Sequence, residues 1–362
     1  METKKARKQI RKLYLLDGMG GMMIAGVSWV ALLAARGFST VEIGFAESIF
    51  HVASLIFEVP SGALADVFGR KKAMIYSNVV CLISSMLMIL SKSFLGVAIT
   101  MIFSALSYNL ASGSREALAY DSLKGAGIEA EYDKFASNDL VIYEISTSLG
   151  TLLVGVALML GYRKAYLIDA VLAVLCVLLA NTFYEETTEL QREKGVTERF
   201  REVTAESVAF LRENRRARTI ILFNAAVGAV ATLILFFLQA KLPQIGLPSI
   251  WLGPALFGMG LGSAVGAKAI ALFSKVRYRM VGMLSLCGVL LAFGSIFTGA
   301  VLPILIGGFI GAFSDSFIEV RSDVVLNTMV PSNQRATLMS INSFTFSVVM
   351  MVLSPIFGLL FA

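Results

Sequence analysis

Residues 58–72 read EVPSGALADVFGRKK and pass from an apolar to a strongly charged composition within a few positions. They lie between two long apolar runs of a 362-residue chain that is 57% hydrophobic and 15% charged, with a mean hydropathy of +0.77. A soluble domain is about half apolar and about a quarter charged. The apolar excess is too large for a globular core, so the quoted stretch is predicted to connect two membrane spans.

The apolar runs predict an all-α polytopic membrane protein. A hydrocarbon core of about 30 Å requires roughly 20 residues of helix, and eleven runs of this kind occur, with no twelfth. They lie at residues 13–35, 42–65, 73–91, 94–117, 137–160, 165–184, 218–240, 248–273, 280–298, 301–325 and 337–361.

The longest polar segment separates a bundle of six spans, residues 1–184, from a bundle of five, residues 218–362. In this linker, residues 185–217, apolar residues such as Val196, Phe200 and Val203 recur at helical spacing. That pattern predicts an amphipathic helix on the inner membrane surface.

Cations fix the predicted orientation, because Lys and Arg are retained in cytoplasmic loops. With the N-terminus inside, 23 of them fall in inner loops and 5 in outer loops. The net charge of +6 therefore reflects topology and not a nucleic-acid surface. We expect a multi-pass protein of the bacterial plasma membrane with a cytoplasmic N-terminus.

The remaining composition argues against an enzyme and against a metal site. Cys81, Cys176 and Cys287 are far apart, and His51 is the single histidine. The stretch FGMGLGSAVGAK at 257–268 lacks the G-K-[ST] ending of a phosphate loop. Its glycines at 258, 262 and 266 are four apart, which predicts close packing between helices. We expect no cofactor, with a proton gradient as the driving force.

The quoted stretch also fits a known signature. Its residues follow the pattern G-x-L-x-D-x-x-G-R-[RK] and resemble the loop between spans two and three of the major facilitator superfamily. Two further segments resemble that superfamily: SGSREALAYDSLKGAG (112–127), as in a bacterial branch, and LNTMVPSNQRATLMS (326–340) before span eleven. The matching residues of the loop are Gly62, Leu64, Asp66, Gly69, Arg70 and Lys71.

The resemblance implies two pseudo-symmetric helical bundles around a central cavity, with the twelfth span of the family absent. It also implies that the loop, together with Glu58, latches the two halves when the transporter faces outward. Gly62 is expected to permit close helix approach, and Gly69 a tight turn. The loop after span eight, ALFSKVRYRM, keeps only the cations, and span five lacks the proline found in many drug–proton antiporters.

Ionisable residues within the spans are candidates for proton coupling, since such residues are costly and usually functional. Asp17 precedes the small-residue run GMGGMMIAG, where the backbone can approach a neighbour or bend. Glu47 and His51 are helical neighbours in span two, and Asp315 and Glu319 are so in span ten. The alternatives are an interfacial acid paired with a cytoplasmic cation for Asp17, outer headgroup contacts or a helix contact for Glu47 and His51, and pairing with Lys268 or Arg321 in span ten.

Other polar residues divide into two predicted groups. An intracellular charge network is expected among Arg115, Glu116, Asp121, Glu144 and Arg335. Hydrogen-bonding positions in the cavity are expected at Asn109, Asn224, Gln239 and Asn342.

These features and the resemblance together predict secondary active transport of a small solute by a monomer in the bilayer. The first hypothesis is proton-coupled export of an amphipathic or hydrophobic compound. Proton-linked uptake of a nutrient or metabolite is the second. A non-transporting sensor or lipid-handling protein of the same fold is the third.

Overall fold

The structure of the protein, a computed structural model, describes residues 2–185, 212, 214–273, 276–329 and 335–362. Within these ranges, the side chains at positions 59, 63, 66, 335–337, 339 and 340 are outside the description. The predicted amphipathic helix of the linker also lies outside the described residues. Every regular element in the described ranges is a helix.

Ten helices form the first half of the described chain. They are α1 (Thr3–Gly21), α2 (Ile24–Val27), α3 (Trp29–Ala35), α4 (Thr40–Phe68), α5 (Arg70–Leu90), α6 (Phe94–Ala111), α7 (Ser114–Gly125), α8 (Tyr132–Leu152), α9 (Val154–Leu160) and α10 (Tyr162–Asn181).

Five helices follow the linker. They are α11 (Arg215–Gln244), α12 (Ser249–Ala269), α13 (Tyr278–Ser295), α14 (Val301–Met329) and α15 (Arg335–Leu360). Short 3₁₀ turns lie at Glu129–Glu131, Ile270–Phe273 and Ile296–Thr298.

Nine helical segments of the described residues are long and apolar enough to cross a membrane, or ten if the bent pair α8 and α9 is one span. The predicted first span is divided into α1, α2 and α3, with breaks at residues 22–23 and at Ser28. The bend expected in the small-residue run is therefore present. The total of eleven spans and the pseudo-symmetry of the bundles stay predictions, as do the predicted domain boundaries.

The chain forms two compact units, and Met1–Leu32 and Val52–Val196 make up the first. In this unit α5 packs along α6 and α10, and α1 packs along α8. The approach of α1 to α8 requires a glycine, because a Cβ on Gly21 would lie 2.7 Å from the Cβ of Ser146. The packed interior includes Leu13, Leu118 and Phe135.

The second unit combines Leu33–His51 with Thr197–Ala362. Within it, α14 packs against both α12 and α13, while α11 packs against α14 and α15. The first part of α4 lies along α15, where Thr40 Oγ1 donates to the Gly358 carbonyl at 2.8 Å. Ser48 Oγ likewise donates to the Met351 carbonyl at 2.7 Å.

The predicted glycine face of α12 packs closely at two of its three positions. A Cβ on Gly262 would lie 2.2 Å from the Phe309 carbonyl oxygen, and one on Gly266 would lie 2.1 Å from that of Phe313. A Cβ on Gly258 would have no neighbour within 4 Å. The prediction is confirmed at Gly262 and Gly266 and is wrong at Gly258, because the neighbouring Met259, and not Gly258, packs against Gly308 of α14.

Candidate functional site

The loop inside residues 58–72 is a single glycine between two helices. Gly69 separates α4 from α5 and has φ +94°, in the left-handed region that favours glycine. The Glu185 carboxylate accepts hydrogen bonds from the backbone N–H groups of Arg70, at 2.6 Å, and Lys71, at 3.0 Å. A Cβ at Gly69 would lie 2.6 Å from Glu185 Oε2, so a side chain there would displace this carboxylate.

Glu185 therefore caps the first turn of α5, where the helix dipole favours a negative charge. Sequence analysis did not identify this residue, since it lies more than 100 positions away in the predicted linker. A Cβ at Gly62 would meet no atom of the described residues within 4 Å, so the close helix approach expected there is not found in this part of the chain. The side chain of Asp66 lies outside the described residues.

Arg115 is the centre of a charge cluster in the first unit. Its guanidinium contacts the Asp17 carboxylate, and its Nη2 lies 3.1 Å from Glu116 Oε1. Its Nε lies 3.0 Å from Asp139 Oδ2. Three helices supply these groups: α1 carries Asp17, α7 carries Arg115 and Glu116, and α8 carries Asp139.

Three carboxylates thus share one guanidinium, which leaves an excess of two negative charges. The Asp17 and Asp139 side chains are buried, and each retains an oxygen that accepts no hydrogen bond within the described part of the chain. The same is true of one oxygen of Glu116. Such oxygens can accept a proton or interact with a cationic group.

The cluster differs in membership from the network predicted from sequence. Arg115 and Glu116 form an ion pair, as the predicted network requires. Asp121 and Glu144 are exposed and form no ion pair with Arg115 in the described residues. The Arg335 side chain lies outside the description. Asp17 and Asp139 join instead, because the chain path brings α1 and α8 to the start of α7.

Asp169, in the middle of α10, accepts a hydrogen bond from the backbone at the break in the first predicted span. It is buried, and its Oδ2 accepts a hydrogen bond of 2.9 Å from the Gly26 N–H. A carboxylate at this place satisfies the orphan donors of a helix N-terminus. Sequence analysis missed it, although an isolated acid within span six was the available signal.

The second unit places several predicted coupling residues around one aromatic ring. Asp315 Oδ1 and the Phe346 ring both pack against Gly228, whose Cβ would lie 3.2 Å and 3.6 Å from them. The His51 ring lies 6.1 Å from the Phe346 ring, and His51 Nε2 is 3.2 Å from Glu47 Oε1. The described residues form no hydrogen bond or ion pair with the Asp315 carboxylate.

The predicted alternatives for span ten do not describe its geometry. Arg321 Nη2 donates to the Val276 carbonyl at 2.9 Å and not to an acid of its own helix. Lys268, at the end of α12, forms no ion pair in the described ranges. Glu319, one turn from Asp315, is exposed, and its charge acts on Asp315.

The four predicted cavity residues have different environments. Asn109 donates to the Ala105 carbonyl at 2.9 Å and to Ser54 Oγ at 3.0 Å, so its amide joins α6 to α4. Asn224 has a buried Oδ1 without a donor in the described residues. Gln239 is buried, and Asn342 is half-buried.

Residues 13–355 match the family model of the Major Facilitator Superfamily. The all-helical fold and the loop at Gly69 agree with this match. The chain belongs to the Major Facilitator Superfamily. It is therefore a multi-pass membrane transporter for small-molecule substrates and not an enzyme. The described residues contain no group of three or more His, Cys, Asp and Glu side chains that could hold a metal ion.

Similar members of the Major Facilitator Superfamily are distant in sequence. The chain is 22% identical over 344 residues to the uncharacterized MFS-type transporter YxaM of Bacillus subtilis strain 168, covering 92% of this chain and 84% of YxaM. The nucleoside transporter NupG superposes with a TM-score of 0.73 at 16% identity, covering 96% and 90% of the two chains. A D-xylose-proton symporter gives a TM-score of 0.67 at 14% identity, covering 96% and 90%. At these identities the similarity to the solved structures is one of fold.

Proposed function

We propose that this transporter works by alternating access and exports an amphipathic or hydrophobic compound in exchange for protons. Among such compounds, the charge of the site favours cationic ones. The observation that carries the proposal is the excess of carboxylates around Arg115. A buried carboxylate can hold a proton or neutralise a cation, so the two compete for the same oxygens.

The surroundings of this cluster support an amphipathic substrate. Tyr143 lies one helical turn from Asp139 on α8, and neighbours at this spacing share a face. An aromatic face attracts organic cations as well as apolar groups. Ionisable residues at membrane depth are costly and usually line a substrate or proton path.

Asp315 is the proposed coupling residue of the second unit. It lies within α14, has no cationic partner in the described residues, and borders Gly228, where a side chain would crowd it. Protonation would remove an uncompensated charge from the helix bundle, so proton binding and release can change its packing. Glu319 and the Glu47–His51 pair remain further candidates.

The remaining parts of the proposal concern the conformational change, the oligomeric state and the membrane location. The loop with Glu58, Asp66, Gly69, Arg70 and Lys71 is proposed as a conformational latch. For this role, Asp66→Asn should lower turnover and leave substrate affinity in place. We also propose a monomer in the bacterial plasma membrane, with its N-terminus in the cytoplasm.

Transport in proteoliposomes tests direction and coupling. A lipophilic cation, tetraphenylphosphonium, should accumulate in vesicles with an acidic interior when the membrane potential is clamped. Its entry should release protons that an internal pH dye records. Asp139→Asn and Asp315→Asn should each abolish this coupling, whereas Asp323→Asn, at the exposed end of the same helix as Asp315, serves as the matched control. Accumulation that ignores the gradient would refute proton coupling.

Proton-linked uptake is the second candidate. Buried or half-buried amides at Asn224 and Gln239 on α11 would suit a polar solute, and similar folds occur in a nucleoside transporter and a D-xylose-proton symporter. Accumulation of uridine or D-xylose driven by an acidic exterior would favour it over export. A chain that moves none of these probes would favour the non-transporting alternative.

A further inference from the structure

A cavity of about 580 Å³ opens in the second unit between the first turns of α11 and α13. Its volume lies within the range of small-molecule sites, about 300–1,000 Å³. Arg215, Arg216 and Thr219 line it from α11, and Tyr278 and Arg279 from α13. The cavity lining shares no residue with the Arg115 cluster and does not include Asp315, and no part of the proposed transport mechanism uses it.

The mouth of the cavity is strongly basic. Arg215, Arg216 and Arg279 are all exposed, and no carboxylate of the described residues pairs with any of them. The cavity also lies at the N-termini of α11 and α13, where the helix dipoles add positive potential. A guanidinium group can bind phosphate through two parallel hydrogen bonds, so arginines beside one opening are suited to a phosphate group.

The rest of the cavity lining is apolar. It is formed by Ile220 and Phe223 on α11 and by Met283 and Leu286 on α13. Gly282 contributes to the depth, because a Cβ there would approach the Phe223 ring to 3.2 Å. The Met283 and Leu286 side chains are exposed, so the apolar wall continues onto the surface of a helix that is long and apolar enough to cross a membrane.

The cavity combines a basic mouth with an apolar wall at the cation-rich ends of two spans. This combination is complementary to a molecule that has an anionic head and an apolar chain. We propose that this cavity binds an anionic phospholipid of the predicted cytoplasmic leaflet. Its phosphate would lie between Arg215, Arg216 and Arg279, and an acyl chain would follow Phe223, Met283 and Leu286. A second copy of the chain is disfavoured, since it would bring an identical basic surface against this one.

Native mass spectrometry of the full chain tests the proposal with phosphatidylglycerol and phosphatidylcholine as probes. We expect retained phosphatidylglycerol and little phosphatidylcholine. Replacing Arg215, Arg216 and Arg279 by Gln should lower phosphatidylglycerol affinity about a hundredfold, since each cation contributes roughly 1 kcal/mol near an anionic lipid. The control removes the same charge from the opposite, predicted outer loops, with Arg163→Gln, Lys164→Gln and Lys241→Gln, and should leave the affinity unchanged.

A second variant tests the cavity itself without changing its charge. Thr219 is exposed, and within the described residues its hydroxyl bonds only to the carbonyl of Arg215 on its own helix, so Thr219→Trp should fill the mouth and leave the fold intact. Loss of phosphatidylglycerol in this variant, with unchanged thermal unfolding, would support a lipid seated in the cavity.

The proposal is overturned by any of four results. Equal loss in the two triple variants would mean unspecific attraction, and displacement by inorganic phosphate as effective as by lipid would mean a simple anion site. Dimers in place of lipid adducts would make a second copy the occupant. Lipid binding that begins only after residues 186–211 are removed would make that acidic segment the occupant.

Discussion

The close contact of α12 with α14 gives a sharp test of the packing. Gly266→Ala adds one methyl group, which would lie 2.1 Å from the Phe313 carbonyl oxygen. Carbon–oxygen contacts between helices are normally about 3.3–3.6 Å, so the two helices must separate by on the order of 1.2 Å. The obstruction is backbone, so rotation of a side chain cannot relieve it.

The same substitution at Gly258 provides the control, because a Cβ there would have no neighbour within 4 Å. Both variants gain the same helix propensity, up to about 1 kcal/mol, and this gain cancels when the two are compared. What remains is the overpacking cost, about 1–3 kcal/mol, with the upper end expected for a backbone clash.

The measurement is thermal unfolding of both purified variants in the same detergent. A cost of this size lowers the midpoint by about 2–4 °C per kcal/mol in a domain of similar length. Gly262→Ala should behave like Gly266→Ala, because its added Cβ would lie 2.2 Å from the Phe309 carbonyl oxygen. A Gly266→Ala chain that unfolds at the temperature of Gly258→Ala would refute the reasoning.

Three further predictions concern caps and a surface pair. Asp169→Ala should destabilise the chain by about 1.5–3 kcal/mol, because it removes a charged acceptor from a helix start; Asp169→Asn, which keeps an acceptor, should lose less in the same unfolding assay. Glu185→Ala should cost about 0.5–2 kcal/mol as a lost cap and speed hydrogen exchange at the Arg70 amide, and unchanged exchange would contradict the capping role. Arg7 hydrogen-bonds Glu131 at 2.6 Å and lowers the pKa of that carboxyl below its ordinary value of 4.5. A lowered pKa stabilises the fold above the ordinary value and loses this effect as pH falls through the folded pKa, so Glu131→Gln should lower the unfolding midpoint at neutral pH and have no effect in acid.

Much of the fold could be predicted from local sequence. Apolar runs located most long helices within a few residues, for example Arg70–Leu90 against the predicted 73–91. Where the prediction of a continuous helix was wrong, the cause was a glycine or a distant acceptor. The predicted fourth span, 94–117, is interrupted at Ser112 and Gly113, with Gly113 at φ +72°.

The candidate site could be predicted less completely from the sequence, for a physical reason. Arg115, Glu116 and Asp121 in one short segment indicated a charge cluster, but sequence spacing relates only residues on one helix. Asp17 and Asp139 reach Arg115 from two other helices. Helical periodicity contains no information on which helices pack together, so these partners followed only from the packing of α1 and α8.

The sequence by itself determined that the chain crosses a membrane, that its first signature loop turns at Gly69, and that its acids lie within apolar segments. These are properties of short windows, since hydropathy and backbone freedom depend on nearby residues. Only the tertiary structure decided that Glu185 caps α5, that Asp169 supports the break before Ile24, and that three carboxylates share one arginine. Each of these requires an acceptor to meet a donor from a remote part of the chain, and helix packing alone fixes those distances.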